Sequence, residues 1–139
     1  MRLPRVLAIA VVAALVAAGT PCLAACLSYN NRVDVTGTLL RIVFPGPPGY
    51  ESVARGDAPE PYFVLRLNPP VCVDRDPAGN DNPGIARLRD MQLMLKPEQY
   101  ARLRPHLGRR IHLSGALFPA STGHHHTPVM LSDIRFGTE

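Results

Sequence analysis

The stretch from Met91 to Phe118, MQLMLKPEQYARLRPHLGRRIHLSGALF, decides the predicted fold. It begins with a short apolar strand, Met91 to Leu95, and ends with a strand of alternating apolar and polar residues, Arg109 to Phe118. Between them, the residues from Pro97 to Leu107 predict a helix. They place a proline and an acidic residue in the first turn and apolar side chains at helical spacing. One helix therefore separates two strands in this part of the chain.

Three further β-strands are predicted on either side of this stretch. The first runs from Val33 to Phe44 and is rich in β-branched residues, and Gly37 within it predicts a bend or a bulge. The second covers Tyr62 to Asn68 and resumes at Val71 to Val73 after two prolines. The last covers Pro128 to Phe136, after a loop of polar residues.

The predicted order is strand, strand, strand, helix, strand, strand. A helix between the third and fourth of five strands is the connectivity of an OB-type Greek-key barrel. The sequence therefore predicts a mainly β fold, a small OB-like five-stranded Greek-key barrel with one helix between strands 3 and 4. A small β-sandwich and an open α+β sheet remain as alternatives at this stage.

The composition restricts the class of protein. A chain of 139 residues provides one domain, and its 46% hydrophobic and 19% charged residues are typical of a globular protein rather than a disordered one. The 15 prolines and 11 glycines argue against a mainly helical protein. These values exclude a multidomain enzyme, a coiled coil and a polytopic membrane protein.

The N-terminal residues predict export. Arg2 and Arg5 precede an apolar run from Val6 to Ala18, and small residues follow, which is the order of a secretory signal peptide. The run is shorter than the roughly 20 apolar residues that a membrane-spanning helix needs. We therefore expect a signal peptide at residues 1–24 and a mature domain at residues 25–139, located in the periplasm.

Cys26 lies just after the predicted cleavage site and has two interpretations. Cleavage after Ala24 leaves Cys26 and Cys72, and two cysteines in an exported chain most simply form a disulfide. Alternatively, Leu23 to Cys26 has the form of a lipobox, and a lipid on Cys26 would anchor the protein to the envelope membrane. Because the first strand begins near Arg32, a lipid there would have almost no tether, and the disulfide is favoured.

The charge of the mature chain does not indicate a nucleic-acid partner. Without Arg2 and Arg5, 13 of the 15 basic residues remain against 11 acidic ones, a net charge of +2. The basic residues are scattered along the chain, and aromatic residues are few. We therefore expect no nucleic-acid binding.

Two unusual segments fall on the loops that flank the binding face of OB barrels. They are FPGPPGYES at residues 44–52 and TGHHHTP at residues 122–128. Tyr50 and Glu51 follow a proline-stiffened turn that could display them to a partner at low entropic cost, although the prolines could equally serve only to rigidify the loop. We expect a protein or another component of the cell envelope to contact Tyr50, Glu51, His124, His125 and His126.

The run from His124 to His126 also suggests a transition metal, because neutral imidazole binds Zn and Cu. In an extended chain the first and third histidines face one way and the middle one faces the other. His124 and His126 are therefore the candidate ligands, and a polar turn pinned by imidazole hydrogen bonds is the simpler alternative. A metal site needs three or four ligands, and the sequence offers as further candidates Glu51, His106 and His112.

The chain carries no familiar catalytic motif. The G-x-S-x-G, H-E-x-x-H, Walker and C-x-x-C patterns do not occur in the sequence. We therefore expect a binding module rather than an enzyme, with metal binding as the alternative function and no cofactor that the sequence identifies with certainty.

Several blocks of sequence together resemble a known family. They are CLSY at 26–29, TGTL at 36–39, the segment 44–52, PEQY at 97–100 and the segment 123–130, of which GHHHTPV is the most specific. Over essentially the whole mature chain, the sequence is similar to small exported bacterial proteins grouped as a domain of unknown function, DUF4431. The resemblance implies an envelope protein and no particular activity. It also implies that the two unusual loops belong together. It places one cysteine just before the first strand and another after the second, which is consistent with a disulfide.

Overall fold

The computed structural model of the protein describes residues 25–29, 31–79 and 81–136. The predicted signal peptide at residues 1–24 lies outside these ranges. Within them, no helix has the length and the apolar character needed to cross a membrane.

Five strands and one short helix follow one another in the predicted order. Their bounds are β1 Arg32–Pro45, β2 Pro59–Val73, β3 Ile85–Leu93, α1 Pro97–Leu103, β4 Arg110–Pro119 and β5 Val129–Arg135, with 3-10 turns at Val53–Arg55 and Arg104–His106.

Three elements differ from their predicted bounds by more than two residues. The strand β2 begins at Pro59 rather than at Tyr62 and continues to Val73 as one strand. The helix α1 ends at Leu103 rather than at Leu107, and the chain continues as a 3-10 turn, because Pro105 has no N–H to donate to a longer α-helix. The strand β3 begins at Ile85 rather than at Met91. Its first half, IARLR, is interrupted by two arginines and is largely exposed, so it lacks the continuous apolar run that marks a buried strand.

The five strands form one sheet that closes on itself. The hydrogen-bonded order is β1-β2-β3-β5-β4, and β4 returns to pair with β1. All pairs are antiparallel except β3 with β5, which joins only Gln92 and Leu93 to Met130 and Leu131. The topology brings the loop between β1 and β2 to the same end of the sheet as the loop between β4 and β5.

The strand β1 makes the closure of the sheet possible. Its residues 32–38 pair with β4, and its residues 37–45 pair with β2. Gly37 lies where the two pairings overlap, and a Cβ atom there would lie 2.5 Å from the carbonyl oxygen of Arg66. Of the bend or bulge predicted at Gly37, the bulge does not occur, since both registers pass through it without a shift. The glycine permits close approach of two strands.

The inward faces of the strands form the hydrophobic core. Alternate residues of β1 are buried, and the centre of the core consists of fully buried leucines and methionines from the other strands. The helix α1 contributes Leu103, which is 1% exposed. Tyr100 of the same helix packs edge-on against Phe63 of β2, with 4.9 Å between ring centroids.

Cys26 and Cys72 form the predicted disulfide. The bond ties the segment before β1 to the last part of β2, and two backbone hydrogen bonds of 2.8 Å add to it, from Leu27 N to Cys72 O and from Asp74 N to Leu27 O. A disulfide is compatible with an exported protein in an oxidising compartment.

Replacing both cysteines with alanine should lower the free energy of unfolding. The bond links residues 46 positions apart, and chain-entropy theory gives about 4 kcal/mol for a closed loop of that length. Urea denaturation of the wild type and of Cys26→Ala/Cys72→Ala measures the difference, and the wild type in reductant is the matched control. Mass spectrometry of the mature wild type should show two hydrogens fewer than the reduced chain. A diacylglyceryl mass on Cys26 would contradict the disulfide in the mature protein.

Candidate functional site

The two unusual loops meet at one end of the closed sheet. We call residues 44–52 and 123–127 together the rim. The rings of Tyr50 and His124 are in edge-on contact, with 5.6 Å between centroids. Gly123 lies against the same tyrosine, where a Cβ atom would be 2.8 Å from Cζ. Glycine at position 123 therefore allows the second loop to lie on the aromatic side chain of the first.

Glu60, at the start of β2, joins two histidines of the rim. One carboxylate oxygen lies 2.6 Å from Nδ1 of His124, and the other lies 2.9 Å from Nε2 of His126. An ionised carboxylate only accepts hydrogen bonds, so both imidazoles present an N–H to it. In neutral His124 the remaining Nε2 then faces the hydroxyl of Tyr50, at 3.5 Å.

These hydrogen bonds lower the pKa of Glu60. The largest cause is the hydrogen bond from His126, and His124 adds a hydrogen bond and a favourable charge interaction; partial burial acts in the opposite direction. The carboxylate is therefore ionised at neutral pH and holds both rings in place.

His126 is packed much more tightly than His124. Its side chain is 9% exposed, against 52% for that of His124. The ring stacks parallel on Phe44 of β1, with centroids 4.5 Å apart, and touches Tyr62 of β2 at 5.7 Å. His126 is thus the fixed part of the pair, while His124 presents a ring to solvent beside Tyr50.

Gln92 fixes the loop of residues 123–127, which we call the histidine loop. This residue of β3 is fully buried, and its side-chain amide donates to the carbonyl of His124 at 3.0 Å and accepts from the N–H of His126 at 2.8 Å. The backbone N–H of Gln92 donates to the hydroxyl of Thr127 at 2.9 Å. A buried amide with these partners is satisfied, and it fixes the course of the loop.

Asp57 holds the other loop of the rim. Its carboxylate accepts the backbone N–H groups of Gly49, Glu51 and Ser52, at 2.7 to 2.8 Å. These three bonds lower the pKa of Asp57, and the bond from Ser52 has the largest effect. Tyr50 lies inside this turn with a φ of 55°, a strained value for a bulky residue, and its side chain is displayed to solvent.

The structure brings together some of the predicted site residues and separates others. Tyr50, His124 and His126 form one cluster around the carboxylate of Glu60. Glu51 instead pairs with exposed Arg55 at 3.1 Å. His125 turns away: its Nδ1 accepts the N–H of Ser121 at 2.9 Å, and its ring packs on Phe118. The segment is a turn rather than an extended chain, since the N–H of His125 donates to the carbonyl of Thr122.

The candidate metal ligands each contact another side chain in the described part of the chain. Among residues 25–29, 31–79 and 81–136, no three or more His, Cys, Asp or Glu side chains are grouped so as to hold a metal ion. Nδ1 of His124 and Nε2 of His126 are both hydrogen-bonded to Glu60. The further ligands that the sequence offered have other contacts: Glu51 with Arg55, His106 with Phe136, and His112 with Asp34 and Thr36.

Sequence reasoning missed the three polar residues that organise the rim. Glu60 stands between two prolines directly before the predicted second strand, a position that reads as part of a loop. Gln92 is the polar residue inside the apolar run MQLML, and that interruption was the available signal. Asp57 lies in a Pro/Gly-rich connection where an aspartate is ordinary.

Comparison with known proteins supports the family resemblance. The family model described as a domain of unknown function (DUF4431) matches residues 90–135, the segment from the end of β3 through β5. The matched segment includes Gln92 and the three histidines of the rim. No curated protein and no solved structure matches the chain.

The rim should loosen in acid because Glu60 must be ionised to hold it. The folded pKa of Glu60 lies below its unfolded pKa, so the stabilisation is complete above the unfolded pKa and is lost as the pH falls through the folded pKa. We expect Glu60→Gln to be less stable than the wild type at pH 7, with the difference shrinking below about pH 4. Urea denaturation from pH 7 to pH 3 measures it.

Asp57 also has a lowered pKa, but both proteins in this comparison keep it, so its contribution cancels. Parallel loss of stability by the wild type and Glu60→Gln over the whole pH range would contradict the role of Glu60.

Proposed function

We propose that this protein is an exported, non-catalytic binding module that contacts a protein or another component of the cell envelope through the rim. We further propose that its closed sheet is an OB-like Greek-key barrel. The strand order β1-β2-β3-β5-β4 and the position of α1 between β3 and β4 support that assignment. The disulfide, which suits an oxidising compartment, supports export.

The observation that carries the binding proposal is an apolar surface on a rigid support. The exposed large hydrophobic side chains among the described residues are Val43, Tyr50, Val53 and Met94, and the first three lie in the rim or next to it. Exposed apolar groups that cluster at one place commonly mark interaction sites. Tyrosine is also enriched among the residues that dominate binding energies at interfaces.

Preorganisation of the rim supports the same conclusion. Glu60, Gln92 and Asp57 together make seven side-chain hydrogen bonds to residues of the rim. A surface that is already ordered loses little conformational entropy on association, so more of the contact energy contributes to affinity. The proline-rich turn before Tyr50 acts in the same direction.

The arrangement of Tyr50, His124 and Glu60 resembles the hydroxyl, imidazole and carboxylate of a catalytic relay, but we interpret it as a clamp. Glu60 divides its two oxygens between two different rings, rather than orienting one imidazole toward one nucleophile. The tyrosine hydroxyl is 3.5 Å from the imidazole, longer than the usual hydrogen bond.

The double substitution Tyr50→Ala/Glu51→Ala should reduce capture of the partner. With immobilised mature protein and an envelope extract, we expect at least a tenfold loss of the species that the wild type retains, because a tyrosine at the centre of an interface contributes about 2 kcal/mol or more. Glu98→Ala/Arg102→Ala on α1, outside both loops, is the matched control. Unchanged capture by the rim variant would contradict the assignment of this site.

Metal binding through His124 and His126 is the alternative function. We expect calorimetric titration of the untagged protein with Zn²⁺ and Cu²⁺ to give no stoichiometric micromolar binding, because only two imidazoles meet here and a metal site needs three or four ligands. His124→Ala/His126→Ala is titrated in parallel. Saturable one-to-one binding that this variant loses would favour the metal function over the partner function.

A further inference from the structure

The strand β3 has an edge that no other strand covers. One side of β3 pairs with β2, but the other side pairs with β5 only at Gln92 and Leu93. Within the part of the chain that the structure describes, residues 85–91 have no strand neighbour on that side. An uncovered edge presents backbone N–H and C=O groups that another extended chain can use.

The cause of this open edge is the course of the histidine loop. In the parallel register of β3 with β5, the residues before Met130 would continue alongside β3. They belong instead to the loop that Gln92 and Thr127 hold, and Thr127 contacts β3 through its hydroxyl rather than through its backbone. The loop therefore diverges from β3 and leaves a gap.

The gap is a groove continuous with the rim. It has a volume of about 330 Å³, with residues 85–90 of β3 on one side and Phe44, His126 and Pro128 on the other. Half-buried Ile85 supplies apolar surface on the β3 side, whereas Leu88 is only 2% exposed and belongs to the core. Two residues of the rim, Phe44 and His126, therefore form one wall of the groove.

The groove carries uncompensated positive charge. Arg87 and Arg89 line it and are exposed, and neither forms an ion pair with another described residue. Asp90 also lines the groove, but both of its oxygens accept hydrogen bonds from the guanidinium of Arg66, at 2.8 and 2.9 Å. The charge left to attract a ligand is that of the two arginines.

We infer that this groove binds an extended acidic segment of the partner protein, which adds to β3 as a further strand. The inference rests on the proposed function and names the class of partner. Side chains of a strand alternate between its two faces, so acidic residues at every second position would meet Arg87 and Arg89 on the exposed face. Residues 85–90 would pair with about six residues, a length of roughly 20 Å.

A second copy of this chain is a poorer occupant. Pairing of two β3 edges would place the arginines of both copies on one small sheet surface, and like charges across a strand pair are destabilising. An acidic strand removes this repulsion and neutralises the groove.

A designed peptide tests the inference directly. The probe is the blocked hexapeptide EVEVEV, with KVKVKV as the charge control and EVEVEV carrying N-methyl groups at alternate residues as the backbone control. We expect EVEVEV to bind and to shift the amide resonances of β3. Both controls, and the protein variant Arg87→Gln/Arg89→Gln, should weaken binding at least tenfold. Arg102→Gln/Arg104→Gln, near the end of α1, should leave it unchanged.

Other outcomes overturn the inference. They are no binding of EVEVEV, equal binding of its N-methylated form, or resonance shifts confined to residues outside β3. Self-association with protection of the β3 amides would also overturn it, in favour of a second copy.

Capture from the envelope extract separates this inference from the proposed function. A partner retained by Arg87→Gln/Arg89→Gln and lost by Tyr50→Ala/Glu51→Ala would overturn the acidic strand and support the rim. A partner retained by the Tyr50→Ala/Glu51→Ala protein but lost by the arginine variant would contradict the rim as the main contact and support the groove.

Discussion

The hydrogen bonds of Glu60 are the interaction on which the functional end of the molecule depends. One carboxylate at the start of β2 holds His124 and His126, and so it joins the second loop of the rim to the strand that follows the first loop. Two loops distant in sequence thereby become one surface. The geometry requires an ionised carboxylate, which the hydrogen bonds themselves favour by lowering the pKa of Glu60.

The polar residues near the rim hold its two loops in place and so make its surface rigid. Gln92 is fully buried, yet its amide is directed to the backbone of the histidine loop. The carboxylate of Asp57 likewise binds the backbone of the loop that carries Tyr50. A core of this size could be filled by apolar side chains alone, so a buried glutamine whose amide oxygen and nitrogen both bind the backbone of one loop indicates that the shape of that loop matters.

The rim and the open edge of β3 have a common structural origin. Because Gln92 and Thr127 fix the histidine loop, the chain joins β3 as a strand only near Met130. The contacts that order the rim therefore also leave the first half of β3 uncovered. One partner could therefore contact both features: it would meet the side chain of Tyr50 at the rim and pair its own backbone with the open edge of β3.

The sequence by itself determined the order of five strands and one helix, the pairing of Cys26 with Cys72 as the favoured interpretation, and the two loops that form the rim. These features are encoded locally, in side-chain periodicity, in turn residues and in the number of cysteines. Only the tertiary structure decided that Glu60 lies between His124 and His126, that Glu51 faces Arg55 instead, and that β3 begins at Ile85. The contacts of Glu60 join residues 64 and 66 positions apart. Such contacts depend on how the sheet closes, and no local pattern in the sequence specifies which side chains that closure brings together.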